Sequence, residues 1–239
     1  QSAKEGNKYL TLINRAAMRK VSLEQEFRDN ADRKMHYPLL KKLDAIYTAY
    51  KAETGKYDFT DMIRFMVEQG TGPVLDVLIV DEAQDLTPLQ WDQVAVLRQN
   101  AKRVFYAGDD DQAIFRWTGV DVRHMLGVTE NFRVLDQSYR VPRAVHDLAA
   151  KLARYIAVRQ PKQWKPTAHE GSIHHYMNVG DVDMTEGSWT IMSRTSNNLR
   201  KIGEQLEGAG ILYKINGRLS FKEDILDAMN IWETLQRGE

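Results

Sequence analysis

The sequence predicts an α/β fold built on a parallel sheet, and three observations support that prediction. Residues 74–80 form a nearly continuous aliphatic run, which is typical of a strand covered on both faces of a parallel sheet. The start of a helix follows at Thr87-Pro88, and a second, largely apolar run follows at 104–107. Both runs end in polar residues, and ligands of such strand–helix–strand units lie at the carboxyl ends of the strands.

Size and composition are those of an ordinary globular protein. The chain has 239 residues, of which 43% are hydrophobic and 28% are charged, and a chain of this size can bury a core without disulfides or structural metals. It contains no cysteine, which excludes thiol catalysis and zinc–thiolate sites and favours a reducing, cytoplasmic location. No run of about 18 apolar residues occurs, so we expect no membrane partner.

The formal net charge is zero, but the charges alternate in blocks along the chain. The net charges are +5 over residues 1–42, −7 over 43–112, +6 over 113–168 and −4 over 169–239. Such blocks can be solvated faces of the protein, or they can mark surfaces for charged ligands such as nucleic acids. Composition leaves both alternatives open.

Helical spacing and turn residues predict the remaining elements. Helices are expected up to about Lys56, over 59–66, after Thr87, after Pro142, across 199–206 and from a capping box at 220–223. Further strands are expected at 132–135, 189–193 and 213–215, and a loop is expected at 160–170.

Two carboxylates, Asp81 and Glu82, follow directly after the first predicted strand. Carboxylates at the end of a buried strand are costly unless something neutralises them, and Mg²⁺ held beside nucleotide phosphates is a common reason. In that interpretation Asp81 holds the metal through its water shell, and Glu82 polarises the water that attacks the γ-phosphate of ATP. The alternative is a solvated strand end whose acids cap the next helix.

The turn after the second predicted strand favours the nucleotide interpretation. Gln112 follows a neighbouring strand by a few residues, so its amide can reach the same phosphate. Phe115 and Trp117 lie on either side of Arg116, and in an extended segment both rings face the same way. Aromatic rings interleaved with cations form stacking platforms for single-stranded bases. The alternative places both rings in the core.

A third polar group, Gln137-Ser138-Tyr139-Arg140, lies between the two α/β sets. An arginine at such a boundary can neutralise charge on a transferring phosphoryl group, and the ring of Tyr139 offers a flat surface for an adenine. Because Tyr-Arg pairs are common, this group by itself distinguishes few functions.

These three groups, in this order and spacing, resemble motifs of the superfamily 1 helicases of the UvrD/Rep/PcrA type. The matching stretches are Val-Asp-Glu-Ala-Gln-Asp (80–85), Ala-Gly-Asp-Asp-Asp-Gln-Ala-Ile-Phe-Arg-Trp-Thr-Gly (107–119) and Asp-Gln-Ser-Tyr-Arg (136–140). Weaker matches are Asp58-Phe59-Thr60-Asp61 and the segments 191–211 and 217–225. The resemblance implies a partial RecA-like parallel-sheet motor domain (58–141) with a helical insertion (1–57), followed by part of a second RecA-like domain (142–239).

The resemblance also implies roles for single residues. In such a helicase Asp81 would bind Mg²⁺ and Glu82 would activate water. Gln112 would sense the γ-phosphate, Arg140 would contact the γ-phosphate, and Tyr139 would stack on adenine. Phe115 and Trp117 would stack on DNA bases, and Arg194 would contact the DNA backbone. The family couples ATP hydrolysis to movement along single-stranded DNA, usually 3′ to 5′, and separates duplex DNA. Thr118 and Ser196 depart from the family pattern, since close relatives often place basic or amide side chains there.

The sequence contains no P-loop, the phosphate-binding motif G-x-x-x-x-G-K-[ST]. Its only Gly-Lys pair, Gly55-Lys56, is followed by Tyr57 and has Tyr50 in place of the first glycine. We therefore expect an internal piece of a longer helicase, which by itself hydrolyses ATP negligibly and works with the remaining segments of its parent protein. The alternative hypothesis is a helicase-derived module that acts only in DNA binding or protein interaction.

Overall fold

The computed structural model describes residues 2–115, 118–128, 130–184, 186–215, 217–220 and 223–237. The chain divides into two compact units, residues 1–171 and 172–239, and each is described by itself. The domain boundaries expected after residues 57 and 141 stay a prediction.

Four helices open the first unit: α1 (Ser2–Arg19), α2 (Leu23–Asn30), α3 (Tyr37–Thr54) and α4 (Phe59–Gln69). Tyr9, Leu12 and Leu40 form a buried core between the first three helices. Asp58 caps α4, since its carboxylate accepts a hydrogen bond from the N–H of Asp61 at 2.8 Å. The Asp58–Asp61 stretch is therefore a helix N-terminus with a capping box.

A two-stranded parallel sheet follows, made of β1 (Leu75–Val80) and β2 (Ala101–Tyr106) and joined by α5 (Pro88–Gln99). Val80 pairs with Tyr106 in the register, so the carboxyl ends of both strands lie side by side. The helix begins at the predicted capping box, where the N–H of Thr87 donates to the side chain of Gln90 at 2.9 Å. The predicted α/β unit with parallel strands is confirmed.

Among the described residues, only one face of this sheet is covered. Val80, Ala83 and Val94 form a buried core between the sheet and α5. On the other face Ile79 and Phe105, which pair in the register, are 68% and 54% exposed. The expectation of a strand covered on both faces is therefore wrong for the described part of the chain, because no described element covers these two side chains.

Two predicted strands do not form. Residues 132–135 and 189–193 are described in full and belong to no ladder. Near the first of them, a single parallel bridge joins Gln137 to Lys165. A strand needs a neighbouring strand to accept its backbone hydrogen bonds, and neither run has such a neighbour among the described residues.

The remaining helices and strands are α6 (Val122–Leu126) and α7 (Arg143–Ala153) in the first unit, and α8 (Ser196–Gly208), β3 (Lys214–Ile215), β4 (Arg218–Leu219) and α9 (Glu223–Arg237) in the second. They confirm the helices predicted after Pro142 and across 199–206 and the strand at 213–215. The predicted capping box at 220–223 includes Phe221 and Lys222, which lie outside the described residues. None of the described helices combines the length and apolar character needed to cross a bilayer.

Candidate functional site

The polar turns after β1 and β2 meet at one edge of the sheet. The N–H of Ala107 donates to the carbonyl of Val80 at 2.8 Å, and the N–H of Ala83 donates to the carbonyl of Ala107 at 2.9 Å. These bonds continue the parallel ladder past the strands. They hold the turn of residues 81–85 against the turn of residues 107–112, as the sequence predicts for neighbouring parallel strands.

Gln84 joins the two turns through its side chain, which is only 2% exposed. Its Oε1 accepts a hydrogen bond from the N–H of Asp109 at 3.0 Å, and its Nε2 donates to Oε2 of Glu82 at 2.7 Å. Gly108 is required beside it, because a Cβ at that position would overlap Oε1 of Gln84. No specific signal in the sequence indicates this role, since an amide in an acidic stretch has many possible functions.

Asp81 and Glu82 are exposed at this edge, and no lysine or arginine of the described part pairs with either of them. Oδ1 of Asp81 accepts a hydrogen bond from the N–H of Glu82 at 2.9 Å, which leaves its second oxygen open. Glu82 has φ of 50° and ψ of 40°, the left-handed region that residues other than glycine rarely adopt. Such a conformation persists where the surrounding structure enforces it, and it is common at functional sites.

The carboxylates at this edge include groups with an oxygen that has no partner among the described residues. Oδ1 of Asp85 is buried with no hydrogen-bond partner, and burial together with the charge of Glu82 raises the pKa of Asp85. Mg²⁺ is commonly held by one or two carboxylates, several waters and substrate phosphates, a pattern that the open oxygen of Asp81 fits. Within the described ranges no group of three His, Cys, Asp or Glu side chains could hold a metal.

Gln112 ends a single turn of 3₁₀ helix, Asp110–Gln112, and its side chain is exposed. Its Nε2 donates to Oδ2 of Asp109 at 2.6 Å. Burial acts to raise the pKa of Asp109, but hydrogen bonds from Lys162 and Gln112 outweigh burial and lower it. Because an amide nitrogen carries two hydrogens, the second one stays available for a ligand.

Basic residues of the 159–165 loop neutralise the acidic turn of residues 109–111. Arg159 pairs with Asp111, and Lys162 lies within ion-pair distance of all three aspartates. The loop was predicted, but these contacts were not. They join residues about fifty positions apart, and their only sign in the sequence was the opposite charge of two distant blocks.

The predicted base-stacking platform is described only in part. Phe115 is 41% exposed, and its carbonyl accepts a hydrogen bond from the N–H of Thr118 at 2.9 Å. Trp117 lies outside the described residues. Gly119 has φ of 92° and lies so close to Arg19 of α1 that a Cβ would overlap that side chain, so this turn rests on the first helix.

Tyr139 and Arg140 are exposed, and Tyr139 is 90% accessible. Oγ of Ser138 shapes their turn by accepting hydrogen bonds from the N–H groups of Arg140 at 3.3 Å and Val141 at 3.1 Å. Among the described contacts, none joins this turn to the carboxylates after β1 or to Gln112. Arg194 is exposed in the second unit, just before α8.

The order of these motifs on an α/β unit is that of a superfamily 1 helicase of the UvrD/PcrA type. Residues 1–133, more than half of the chain, match the UvrD/REP helicase N-terminal domain family, and the chain belongs to that family.

Similar curated proteins carry the name ATP-dependent DNA helicase PcrA. The protein of Leuconostoc citreum is 28% identical over an alignment of 221 positions, which covers 77% of this chain and 30% of that protein. The protein of Staphylococcus aureus is 24% identical over an alignment of 212 positions, which covers 81% of this chain and 28% of that protein. The protein of Staphylococcus epidermidis is 26% identical over an alignment of 166 positions, which covers 67% of this chain and 22% of that protein. The chain therefore spans less than a third of the length of these relatives.

Proposed function

We propose that the protein containing this chain is an ATP-dependent DNA helicase or translocase, which couples ATP hydrolysis to movement on single-stranded DNA and to unwinding of duplex DNA. The observation that supports the proposal is a pair of hydrogen bonds made by the Gln84 side chain. They hold the Glu82 carboxylate and the turn before Gln112 together at one edge of a parallel sheet. The choice of ATP and DNA as ligands follows from the names of the PcrA relatives.

The chemistry proposed for the carboxylates follows from their hydrogen bonds. Asp81 would hold Mg²⁺ through its open oxygen, and the ion would neutralise charge on the phosphate oxygens. Glu82 receives a hydrogen bond from Gln84 on Oε2, which fixes the carboxylate and leaves Oε1 to accept a hydrogen from water. A fixed carboxylate of this kind can orient water for in-line attack on a γ-phosphate.

The remaining residues would bind the nucleotide and the DNA. Gln112 would direct its second amide hydrogen at the γ-phosphate, Arg140 would neutralise charge on the transferring group, and Tyr139 would stack on adenine. The exposure of Tyr139 leaves that ring available to a ligand. Phe115 and Trp117 would stack on bases of single-stranded DNA, and Arg194 would contact the DNA backbone.

The test is the variant Glu82→Gln in the parent protein. An amide keeps the volume of the side chain but accepts no proton, so we expect DNA-stimulated ATP hydrolysis to fall by about a hundredfold or more. Binding of ATP should persist. The measurements are steady-state hydrolysis with and without a single-stranded oligonucleotide, and binding of a fluorescent ATP analogue.

Asp76→Asn is the matched control, because Asp76 lies near the opposite end of β1, is exposed and pairs with Lys102 at 2.6 Å. This variant should hydrolyse ATP at the normal rate. Normal turnover by Glu82→Gln would remove Glu82 from its proposed role. A parent protein that binds DNA without hydrolysing ATP would instead favour the binding-module hypothesis.

A further inference from the structure

The segment of residues 159–165, called here the bracing segment, contacts two of the proposed nucleotide-binding turns. It follows α7 and belongs to the same compact unit as the strands. One end contacts the acidic turn before Gln112, and the other contacts the turn before Tyr139 and Arg140. Nothing in the proposed function accounts for either set of contacts.

Lys162 is the centre of the first contact. Its Nζ lies 2.8 Å from Oδ1 of Asp109 and 3.2 Å from Oδ2 of Asp111, and it also pairs with Asp110. The Lys162 side chain is 13% exposed, and that of Asp110 is 5% exposed. Burial acts to lower the pKa of Lys162, but the hydrogen bonds that it donates to these carboxylates outweigh burial and raise the pKa.

Arg159 and Gln160 add to the same contact. Nε and Nη2 of Arg159 donate to the two oxygens of Asp111, each at 2.7 Å, in a bidentate pair. The N–H of Gln160 donates to Oδ2 of Asp110 at 2.6 Å. Three consecutive carboxylates held largely out of water repel one another, so the turn depends on these donors for its shape.

Asp109 connects Lys162 to Gln112 through its two carboxylate oxygens. Its Oδ1 faces Nζ of Lys162 at 2.8 Å, while its Oδ2 accepts the hydrogen bond from Nε2 of Gln112 at 2.6 Å. One carboxylate therefore lies between the lysine and the amide. Lys162 and the N–H of Asp111, which donates to Oδ1 at 3.2 Å, together hold one oxygen of Asp109, so the other oxygen has a fixed direction that sets the orientation of the Gln112 amide.

The far end of the bracing segment is tied to the turn before Arg140. The N–H of Lys165 donates to the carbonyl of Asp136 at 2.6 Å, and the N–H of Ser138 donates to the carbonyl of Lys165 at 2.9 Å. Just after the segment, the carbonyl of Pro166 accepts a hydrogen bond from Nε2 of Gln137 at 3.1 Å. The same short segment thus fixes both turns.

We propose that Lys162 is a positioning residue for ATP hydrolysis: it holds Asp109 so that the Gln112 amide is oriented toward the γ-phosphate, and the bracing segment links this turn to the Arg140 turn. The inference rests on the proposed function only in assigning the γ-phosphate to Gln112. The contacts that join Lys162 to Gln112 through Asp109 do not depend on the proposed function.

The test compares Lys162→Met, Lys162→Arg and Lys165→Met in the parent protein. Lys162→Met keeps the apolar stem but loses the charge, so kcat for DNA-stimulated hydrolysis should fall about ten- to hundredfold with little change in KM for ATP. Lys162→Arg should restore most of kcat. Lys165→Met is the matched control, because the Lys165 side chain is 74% exposed with Nζ 3.8 Å from Asp136, and the bracing contacts of this residue use only its backbone. Its kinetics should be normal.

A double variant separates positioning from a general structural role. If Lys162 acts through Gln112, the variant Gln112→Ala with Lys162→Met should be no slower than Gln112→Ala alone. Losses that multiply would overturn the inference. Should Lys162→Met fail to fold, Asp109→Asn carries the same test, because asparagine keeps the volume but offers one acceptor oxygen to the three donors Lys162, Gln112 and the N–H of Asp111.

Glu82→Gln distinguishes failure of this inference from failure of the proposed function. If Glu82→Gln shows the expected loss of ATP hydrolysis while the kinetics of Lys162→Met are unchanged, this inference is overturned and the proposed function stands. Hydrogen exchange on the chain itself needs no nucleotide: Lys162→Met should speed exchange at residues 109–113 and leave β1 unchanged. Unchanged exchange at 109–113 would also overturn the inference.

Discussion

At the scale of single residues, the site depends on Gln84 more than on any of its carboxylates. This side chain donates to Glu82 and Asp85 in the first turn, accepts a hydrogen bond from Asp109 in the second, and is buried between the two turns. The amide is suited to this position because it donates to one turn and accepts from the other, which a carboxylate at neutral pH cannot do. The spacing of the turns is therefore set by one neutral residue in an acidic stretch.

Gly108→Ala should lower the free energy of unfolding by about 1–3 kcal/mol. A Cβ there would overlap Oε1 of Gln84 and lie 3.0 Å from Sδ of Met125, so the turn would have to move. Urea denaturation of the chain measures the effect. Gly180→Ala is the matched control, because a Cβ at Gly180 meets nothing within 4 Å. Equal stability of the two variants would contradict this account of Gly108.

The sequence could place some site residues and not others, for a physical reason. Asp81, Glu82 and Gln112 follow strands directly, and the direction of parallel strands brings them to one edge. Lys162 and Arg159 reach the same edge only because the chain returns there after α7. That return depends on contacts between distant residues, which local patterns do not encode.

At the scale of elements, the first two helices support the turn that ends at Gly119. Glu26 of α2 is fully buried and pairs with Arg15 and Arg19 of α1, and Arg19 also pairs with Asp29 at 2.8 Å. This network fixes the side chain of Arg19, on which Gly119 packs. The helical region thus shapes one end of the stretch that carries the proposed phosphate and base contacts.

Glu26→Gln should lower the free energy of unfolding by about 3 kcal/mol, because it leaves two arginines without a buried counter-charge. Glu24→Gln on the same helix is the control, since its side chain is 67% exposed and lies 3.9 Å from Arg28. Chemical denaturation of both variants provides the comparison. A stability of Glu26→Gln equal to that of the control would show that the buried pair contributes nothing.

Elements with local signals were predicted well, and those without them were not. Thr87 and Gln90 form the expected capping box, and Gly55 ends α3 in the left-handed conformation with φ of 63°. The strands expected at 132–135 and 189–193 have suitable residues but no neighbour to pair with. Helix caps involve a few adjacent residues, whereas a strand exists only through a partner elsewhere in the chain.

At the scale of the whole molecule, the two compact units differ in the apolar surface they bury. In the first unit two clusters of buried side chains lie under the sheet and between the opening helices. In the described part of the second unit, Leu206 is the buried apolar side chain, and Trp232 of α9 is 63% exposed. Because apolar burial is the main source of stability, the units should differ in local stability.

Native-state hydrogen exchange should therefore be slowest in β1, α5 and β2 and faster throughout residues 172–239. Mass spectrometry of peptides from the exchanged chain measures this difference directly. The amides of α8 are the internal comparison, because they are helical like those of α5 but lie in the second unit. Equal protection of α5 and α8 would contradict the expected order.

The left-handed backbone at Glu82 lowers the stability of the fold, while the proposed hydrolysis needs the side chain at the same position. Glycine would adopt φ of 50° without strain, whereas any other residue there costs about 1–3 kcal/mol. Substitutions that relax this backbone would remove the carboxylate on which the proposed hydrolysis depends. Selection for folding stability alone would therefore favour glycine in place of Glu82, and such a variant would lose the proposed hydrolysis. This is a local trade-off between stability and catalysis.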